Sequence, residues 1–327
     1  MASIRNRDGI WQARIIRKGY PEVTKSFPNR VEAQQWARVI EVDIGRGSYQ
    51  SHTEAERLTF ADVITRYLAE VAPSLKGYKE DLIRLNALKR HPLTRHSMIA
   101  LTPEKIAAYR DERLAKVGAG TVIRELASIS AIVNHSRREW GINTPNPVEL
   151  VRKPKAPRGR NRILTDAEIS RIKEELRPTS RRSIWMLPAF ELALQTAMRR
   201  GELLALRWAD VNMTKRVAFL QDTKNGESRS VPLSTAAIRL LSSIPRSLTG
   251  RVIPLTTFAL EAAFKKATRR ASLEDVHFHD IRHTAVTSMA KLLPNLIELS
   301  AVTGHKSLVM LKRYYHPSAA ELARKLG

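Results

Sequence analysis

The sequence has no cysteine. That excludes disulfides, thiol nucleophiles and cysteine-ligated zinc, and it fits a reducing cytoplasm. No stretch approaches the roughly 20 consecutive apolar residues of a membrane span. The first residues, MASIRNRDGIWQ, lack the apolar segment of a secretory signal. No internal repeat and no low-complexity tract is present. Acidic residues are scarce: 32 Asp and Glu stand against 56 Lys and Arg, a formal net charge of +24. A balance that basic serves a polyanion, here nucleic acid. With 327 residues, 43% of them hydrophobic, the chain can bury two or three cores.

The charge is uneven. Residues 1–56 carry 9 basic and 7 acidic side chains, residues 57–162 carry 21 and 10, and residues 163–327 carry 26 and 15. The first segment is therefore expected to be a separate, nearly neutral module. In it, Asp8-Gly9 forms a two-residue hairpin turn because both positions tolerate positive φ. The next strand places Trp11, Ala13 and Ile15 on one face and Gln12, Arg14, Ile16 and Lys18 on the other. A third strand spans 23–27. Asn29 caps a helix with Ala33, Trp36, Ala37, Ile40 and Ile44 on its inner face. The module either packs as structure or lays its sheet in a DNA groove through Arg14, Lys18 and Lys25.

Residues 57–150 read as four or five short helices, with apolar faces such as Phe60, Val63, Ile64, Tyr67 and Leu68. VRKPKAPRGRNR, residues 151–162, holds six basic residues and no acid. It is expected to be an extended linker lying along phosphates through Arg152, Lys153, Lys155, Arg158, Arg160 and Arg162. From 163 to 327 the pattern is mostly helical. One hairpin joins 217–220 to 229–233 through Asn225-Gly226, with Lys224 beside the turn.

Five of the nine histidines lie between His277 and His316. His279 and His283 share the i,i+4 spacing of a zinc site, but Arg282 between them would be an uncompensated cation there, so a phosphate is the better ligand. A helix is expected from His279, with Ala285, Met289 and Leu292 on its buried side. Arg199, between two apolar helical runs, needs an anionic partner, either Glu202 or a phosphate that Glu202 helps it meet. GHKSLVMLKRYYHP places Tyr314 nine residues after His305.

The order Arg199, Lys224, His279-x-x-Arg282, His305, Tyr314 resembles that of the tyrosine recombinase (phage integrase) family. So do the segments MRRGELLALRW, FHDIRHTAVT and TGHKSLVMLKRYYH. The resemblance covers about residue 57 to the end. It implies a mainly α fold with small β elements: an N-terminal three-stranded sheet plus helix like an arm-binding module (1–56), a SAM-like helical core-binding bundle (57–150), the basic linker (151–162) and a mixed, mostly helical catalytic domain (163–327). Together these are expected to form a C-shaped clamp on DNA. The resemblance makes Tyr314 the nucleophile, Arg199, Arg282 and His305 the stabilisers of phosphate charge, Lys224 the general acid, His279 the candidate base and Glu202 their support. It implies no metal, no ATP and no other cofactor. The partners it implies are double-stranded recombination sites, a homo-tetramer on synapsed DNA formed from monomers, and a DNA-bending accessory protein. SRREWGINTPNPVELVRKPK and MLKRYYH are similar to shufflon-type DNA invertases, so inversion stands beside integration. A non-catalytic DNA-binding regulator and a type IB topoisomerase are the competing classes. Two departures stand out: Ala197 replaces the usual glycine, and Tyr315 adjoins the nucleophile.

The charge reading predicts steep salt dependence. With eight or more phosphates neutralised, log K should fall against log[salt] with a slope of about −0.9 per phosphate. A titration of DNA affinity against NaCl checks this, and a slope shallower than about −2 would contradict it.

Overall fold

A computed structural model of the chain describes residues 2–47, 49, 53–157, 159–221, 228–314 and 319–327. It divides into two compact units, Met1–Arg158 and Gly159–Gly327. The expected Lys224, Arg158, Asn225-Gly226 turn and Tyr315 lie outside the described residues.

The first unit opens with a three-stranded antiparallel sheet: β1 (Ser3–Arg7), β2 (Ile10–Ile15) and β3 (Val23–Phe27), in that order. Asp8 and Gly9 join β1 to β2 with φ of 51° and 85°, as a primed hairpin turn requires. Asn29 caps α1 (Arg30–Gly45) by accepting the Glu32 N–H at 2.8 Å. Ala13 and Ile15 on the sheet and Ala33, Ala37 and Ile44 on α1 form a core of their own. Register decides what the open face carries. Arg14 stands opposite Thr24, and Gln12 opposite both Arg5 and Ser26, on the side away from α1. Lys25 stands opposite the buried Ala13, on the α1 side, against the Phe27 ring. Alternation along a strand therefore separates Lys25 from Arg14, and one groove contact cannot use both.

The bundle of the same unit consists of α2 (Thr53–Arg57), α3 (Phe60–Glu70), α4 (Tyr78–Lys89), α5 (Pro103–Leu114) and α6 (Ala119–Glu139). Helix α2 crosses the expected boundary at residue 56, and Ala55 is fully buried in the bundle core with Phe60, Ile64, Leu126 and Ile129. Thr59 and Asp62 form a capping box at α3, and Pro103 occupies the first turn of α5.

The second unit runs α7 (Asp166–Leu176), α8 (Met186–Thr196), α9 (Arg200–Ala205), β4 (Val211–Asn212), β5 (Val217–Leu220), β6 (Arg229–Pro232), α10 (Thr235–Ser243), α11 (Thr257–Arg270), α12 (Phe278–Leu292), α13 (Leu296–Thr303), α14 (Leu308–Leu311) and α15 (Ala319–Leu326). The expected pair of strands is β5 and β6; β4, two residues long, adds a third that no alternation could reveal. Phe190 of α8 and Phe264 of α11 stack at the centre of the main core. A smaller core of Ala197, Ala285, Val286, Ala290, Leu299 and Leu311 holds α12 against α13 and receives the Tyr314 ring. Leu292 departs from expectation. At the last residue of α12 it is 80% exposed, and Leu293 and Leu296 cover that end of the core instead.

Ala197 ends α8 in the left-handed region, at φ 49° and ψ 21°. A side chain there costs roughly 1–2 kcal/mol. Its methyl group is fully buried, which returns about 0.8 kcal/mol, and alanine loses less chain entropy than glycine on folding. These terms nearly cancel, so the chain tolerates alanine at this left-handed position. Among the described residues no helix is long and apolar enough to cross a membrane.

Candidate active site

Helix ends build the site. Arg282, on the first turns of α12, is 5% exposed. It donates to the carbonyl oxygens of Ala197, at the end of α8, and of Thr303, at the end of α13, the latter at 2.7 Å. Both carbonyls lie at helix C-termini, where a cation is favoured. Burial, then the neighbouring Arg199, pulls the Arg282 pKa down to about 10, which still leaves it charged at neutral pH.

Arg199 is the last of the three residues between α8 and α9 and immediately precedes α9. Its backbone N–H donates to Glu202 Oε2 at 2.8 Å, and its guanidinium donates to Glu202 Oε1 and to the Gly304 carbonyl, each at 2.9 Å. Both anticipated partners of this arginine are thus compatible: Glu202 holds one edge and leaves the guanidinium facing the cleft. Sequence reasoning missed Arg229. From β6 it grips the same carboxylate with two bonds, at 2.8 and 2.9 Å, and its side chain is 12% exposed. Burial alone would raise the Glu202 pKa, but hydrogen bonds from Arg229 and Arg199 outweigh it and hold the value at about 2. Gly304 makes room for this packing. It ends α13 at φ 69°, and a Cβ there would lie 2.8 Å from the Arg229 guanidinium.

His305 follows. The Thr303 hydroxyl donates its only proton to the Leu299 carbonyl at 2.6 Å, so at 2.7 Å it accepts from His305 Nδ1. In the neutral ring Nε2 then carries the lone pair, 3.5 Å from Arg282. Burial, followed by Arg282 and Arg199, depresses the His305 pKa to about 4. Burial and then Arg282 likewise lower that of His279.

Tyr314 reaches the same place. Its hydroxyl lies 2.5 Å from His283 Nδ1, and its ring stacks on His283 with centroids 5.7 Å apart. His279, the expected base, packs edge-on against His283 at 5.0 Å. The sequence marks His283 only as one half of a zinc-like spacing. Its contact with the tyrosine depends on how the chain after α13 returns, and no local signal carries that. Among the described residues no group of three His, Asp or Glu side chains is placed to hold a metal.

These residues line one cleft of about 310 Å³: Arg160, Arg199, His279, Arg282, His283, His305, Met310 and Tyr314. Arg160 donates to the fully buried carboxylate of Asp280 at 2.6 and 2.9 Å and to Asp275 at 2.9 Å. Asp280 in turn accepts the His277 N–H at 2.7 Å and caps α12. Arg162 pairs with Glu168, and Arg14 with Glu22 at 2.6 and 2.7 Å. Arg152, Lys153, Lys155 and Lys18 are exposed.

Residues 162–321 match the Phage integrase family. The chain is 41% identical over 83% of its length to a shufflon-specific DNA recombinase of Escherichia coli, covering 72% of that protein. A protein of Haemophilus influenzae named as an integrase/recombinase is 34% identical over 98% of this chain and 89% of its own. The chain belongs to the phage integrase family. As a member of this family of tyrosine recombinases it is a site-specific DNA recombinase. Its fold is similar to that of a lambda integrase chain, solved as a dimer bound to a core site, with a TM-score of 0.68 and 22% identity over 96% of this chain and 94% of that one. The Tn1549 transposon integrase in complex with a circular intermediate DNA gives a TM-score of 0.65 and 14% identity over 82% and 98%.

Glu202 yields a test with a definite sign. Its folded pKa of about 2 lies below the ordinary 4.5, so its contribution to stability is fully present above pH 4.5 and is lost as pH falls through about 2. Glu202→Gln should cost on the order of 3 kcal/mol at pH 7. The gap to the unsubstituted protein should narrow as pH falls from 4.5 toward 2. Urea denaturation across that range checks both statements; a pH-independent gap would contradict them.

Proposed function

We propose that this recombinase cleaves and rejoins DNA through a transient 3′-phosphotyrosyl bond made by Tyr314. The observation that carries this reading is that the Tyr314 hydroxyl shares one small cleft with the guanidinium groups of Arg199 and Arg282 and the ring of His305. In-line attack forms the Oη–P bond, breaks the P–O5′ bond and builds negative charge on the non-bridging oxygens. Donors fixed in advance at that charge are the largest catalytic term available. Arg282 has guanidinium donors beyond those spent on carbonyls, and Arg199 is already aligned by Glu202. His305 is neutral above about pH 4 in the free protein. A phosphodiester oxygen beside it offsets the arginine field, so Nε2 can hold a proton and donate it as a hydrogen bond. Lys224, by resemblance, protonates the leaving 5′ oxygen. The bond energy is stored covalently, so the cycle needs neither ATP nor a metal.

We also assign Arg152, Lys153 and Lys155 to phosphate contacts beyond the cleft, and the open sheet face with Arg14 to the groove of a separate arm site. In this reading the working form is a homo-tetramer on two synapsed sites at the nucleoid, in the cytoplasm of a prokaryote, with a DNA-bending protein as accessory. Inversion of a DNA segment is the second reading, favoured by the 41% identity to a protein named for shufflon recombination.

Tyr314→Phe should abolish covalent trapping on a nicked suicide substrate and leave DNA affinity unchanged, since only the nucleophilic oxygen is lost. Tyr315→Phe should still trap. A denaturing gel of the adducts decides, and the reverse pattern would move the nucleophile to Tyr315.

Removal of residues 1–52, with α2 kept whole, should preserve cleavage of a core half-site and abolish recombination of a long site carrying distal arm sequences. Unchanged recombination would remove the arm-binding role and favour inversion. Loss of core cleavage would show that the module serves the bundle as structure.

A further inference from the structure

We propose that His283, rather than His279, takes the proton from Tyr314 as it attacks phosphorus. The inference rests on the assignment of Tyr314 as nucleophile and adds the group that activates it.

A tyrosine hydroxyl has an ordinary pKa of about 10, so at neutral pH it needs an acceptor for its proton. That acceptor must lie within hydrogen-bond reach, roughly 2.6–3.2 Å or slightly closer, before basicity matters. His283 Nδ1 meets this condition at 2.5 Å from the hydroxyl oxygen. Packing fixes the ring: His283 is 8% exposed on α12, the helix that also presents Arg282. The tyrosine ring lies over it at an interplanar angle of 27°, so the hydroxyl cannot swing away without breaking the stack. His279 makes its described ring contact with His283, edge-on, one helical turn earlier. It lines the cleft and is left to the phosphate.

The charges around the pair favour the transfer. Arg282 and Tyr314 attract each other when the phenol is ionised. The His305 ring lies 6.1 Å from that of Tyr314 in the same cleft. With Nε2 of His283 carrying the ring proton, Nδ1 offers its lone pair. The Tyr314 O–H bond breaks, its proton goes to Nδ1, and the oxygen pair forms the Oη–P bond. The P–O5′ pair departs on the 5′ oxygen, which receives the proton of the general acid assigned above. In rejoining, the His283 imidazolium returns its proton to the tyrosine oxygen as the P–Oη bond breaks.

The test is the single-turnover rate of covalent adduct formation by the full chain on a nicked suicide half-site. His283→Asn keeps a polar atom near the Nδ1 position and can accept a hydrogen bond, but it cannot take the proton. It should slow the adduct by roughly 10²–10⁴-fold with unchanged DNA affinity and unchanged denaturation midpoint. His283→Ala should be equally slow, and added imidazole should restore part of its rate. Adduct formation by His283→Asn within a few-fold of the unsubstituted rate would overturn the proposal. So would slow adduct formation by a folded His283→Ala that imidazole does not restore, since a ring that only props the tyrosine is not replaced by a diffusing base. The outcome is separable from that of the nucleophile. If Tyr314→Phe still forms the adduct, the Tyr314 assignment fails; if it does not and the His283 variants are fast, only this inference fails.

Discussion

The cleft of the second unit is built around a buried cation, Arg282. Removing Arg282 from water costs several kcal/mol unless its charge is met, and its closest described hydrogen-bond partners are two carbonyl oxygens rather than a carboxylate. Those oxygens belong to the last turns of α8 and α13, so one guanidinium fastens three helices together. It also satisfies carbonyl groups that helix ends would otherwise leave unpaired. The fastening fixes where Arg199 and His305 emerge, because each lies two residues beyond one of the bonded carbonyls.

The second constraint is one of charge. Arg199, Arg229 and Arg282 converge on the single carboxylate of Glu202, which two of them grip. The cluster carries more cations than anions, so its net charge is positive. The depressed pKa values of Arg282 and His305 have the same origin: burial first, then the repulsion of neighbouring arginines. Glu202 is therefore more than the local partner of Arg199. It lets two arginines approach each other and ties strand β6 to the start of α9.

The local features were legible because each rests on few residues. The positive φ of Asp8-Gly9, the Asn29 cap, the proline that starts α5 and the apolar face of α3 are all set by neighbours in sequence. The features that escaped notice depend on distant chain. Arg229 reads as an ordinary strand residue until Glu202, 27 positions away, lies beside it. Arg160 reads as a free linker charge until Asp280, 120 positions away, takes it. Lys25 and Arg14 look alike as basic strand residues, and only strand register shows that they face opposite ways.

By itself, then, the sequence determined which groups are present: a chain without thiols, rich in cations, carrying two arginines, a lysine, two histidines and a tyrosine in an order that resembles the tyrosine recombinases. It also determined most of the helices and the first hairpin, since capping and periodicity act within a few residues. Only the tertiary structure decided which of those groups touch. Hydrogen bonds to a tyrosine oxygen or a buried carboxylate act over about 3 Å. Closing the 31-position separation of His283 and Tyr314 to that distance depends on the packing of α12, α13 and the small core they share, and no spacing along the chain encodes it.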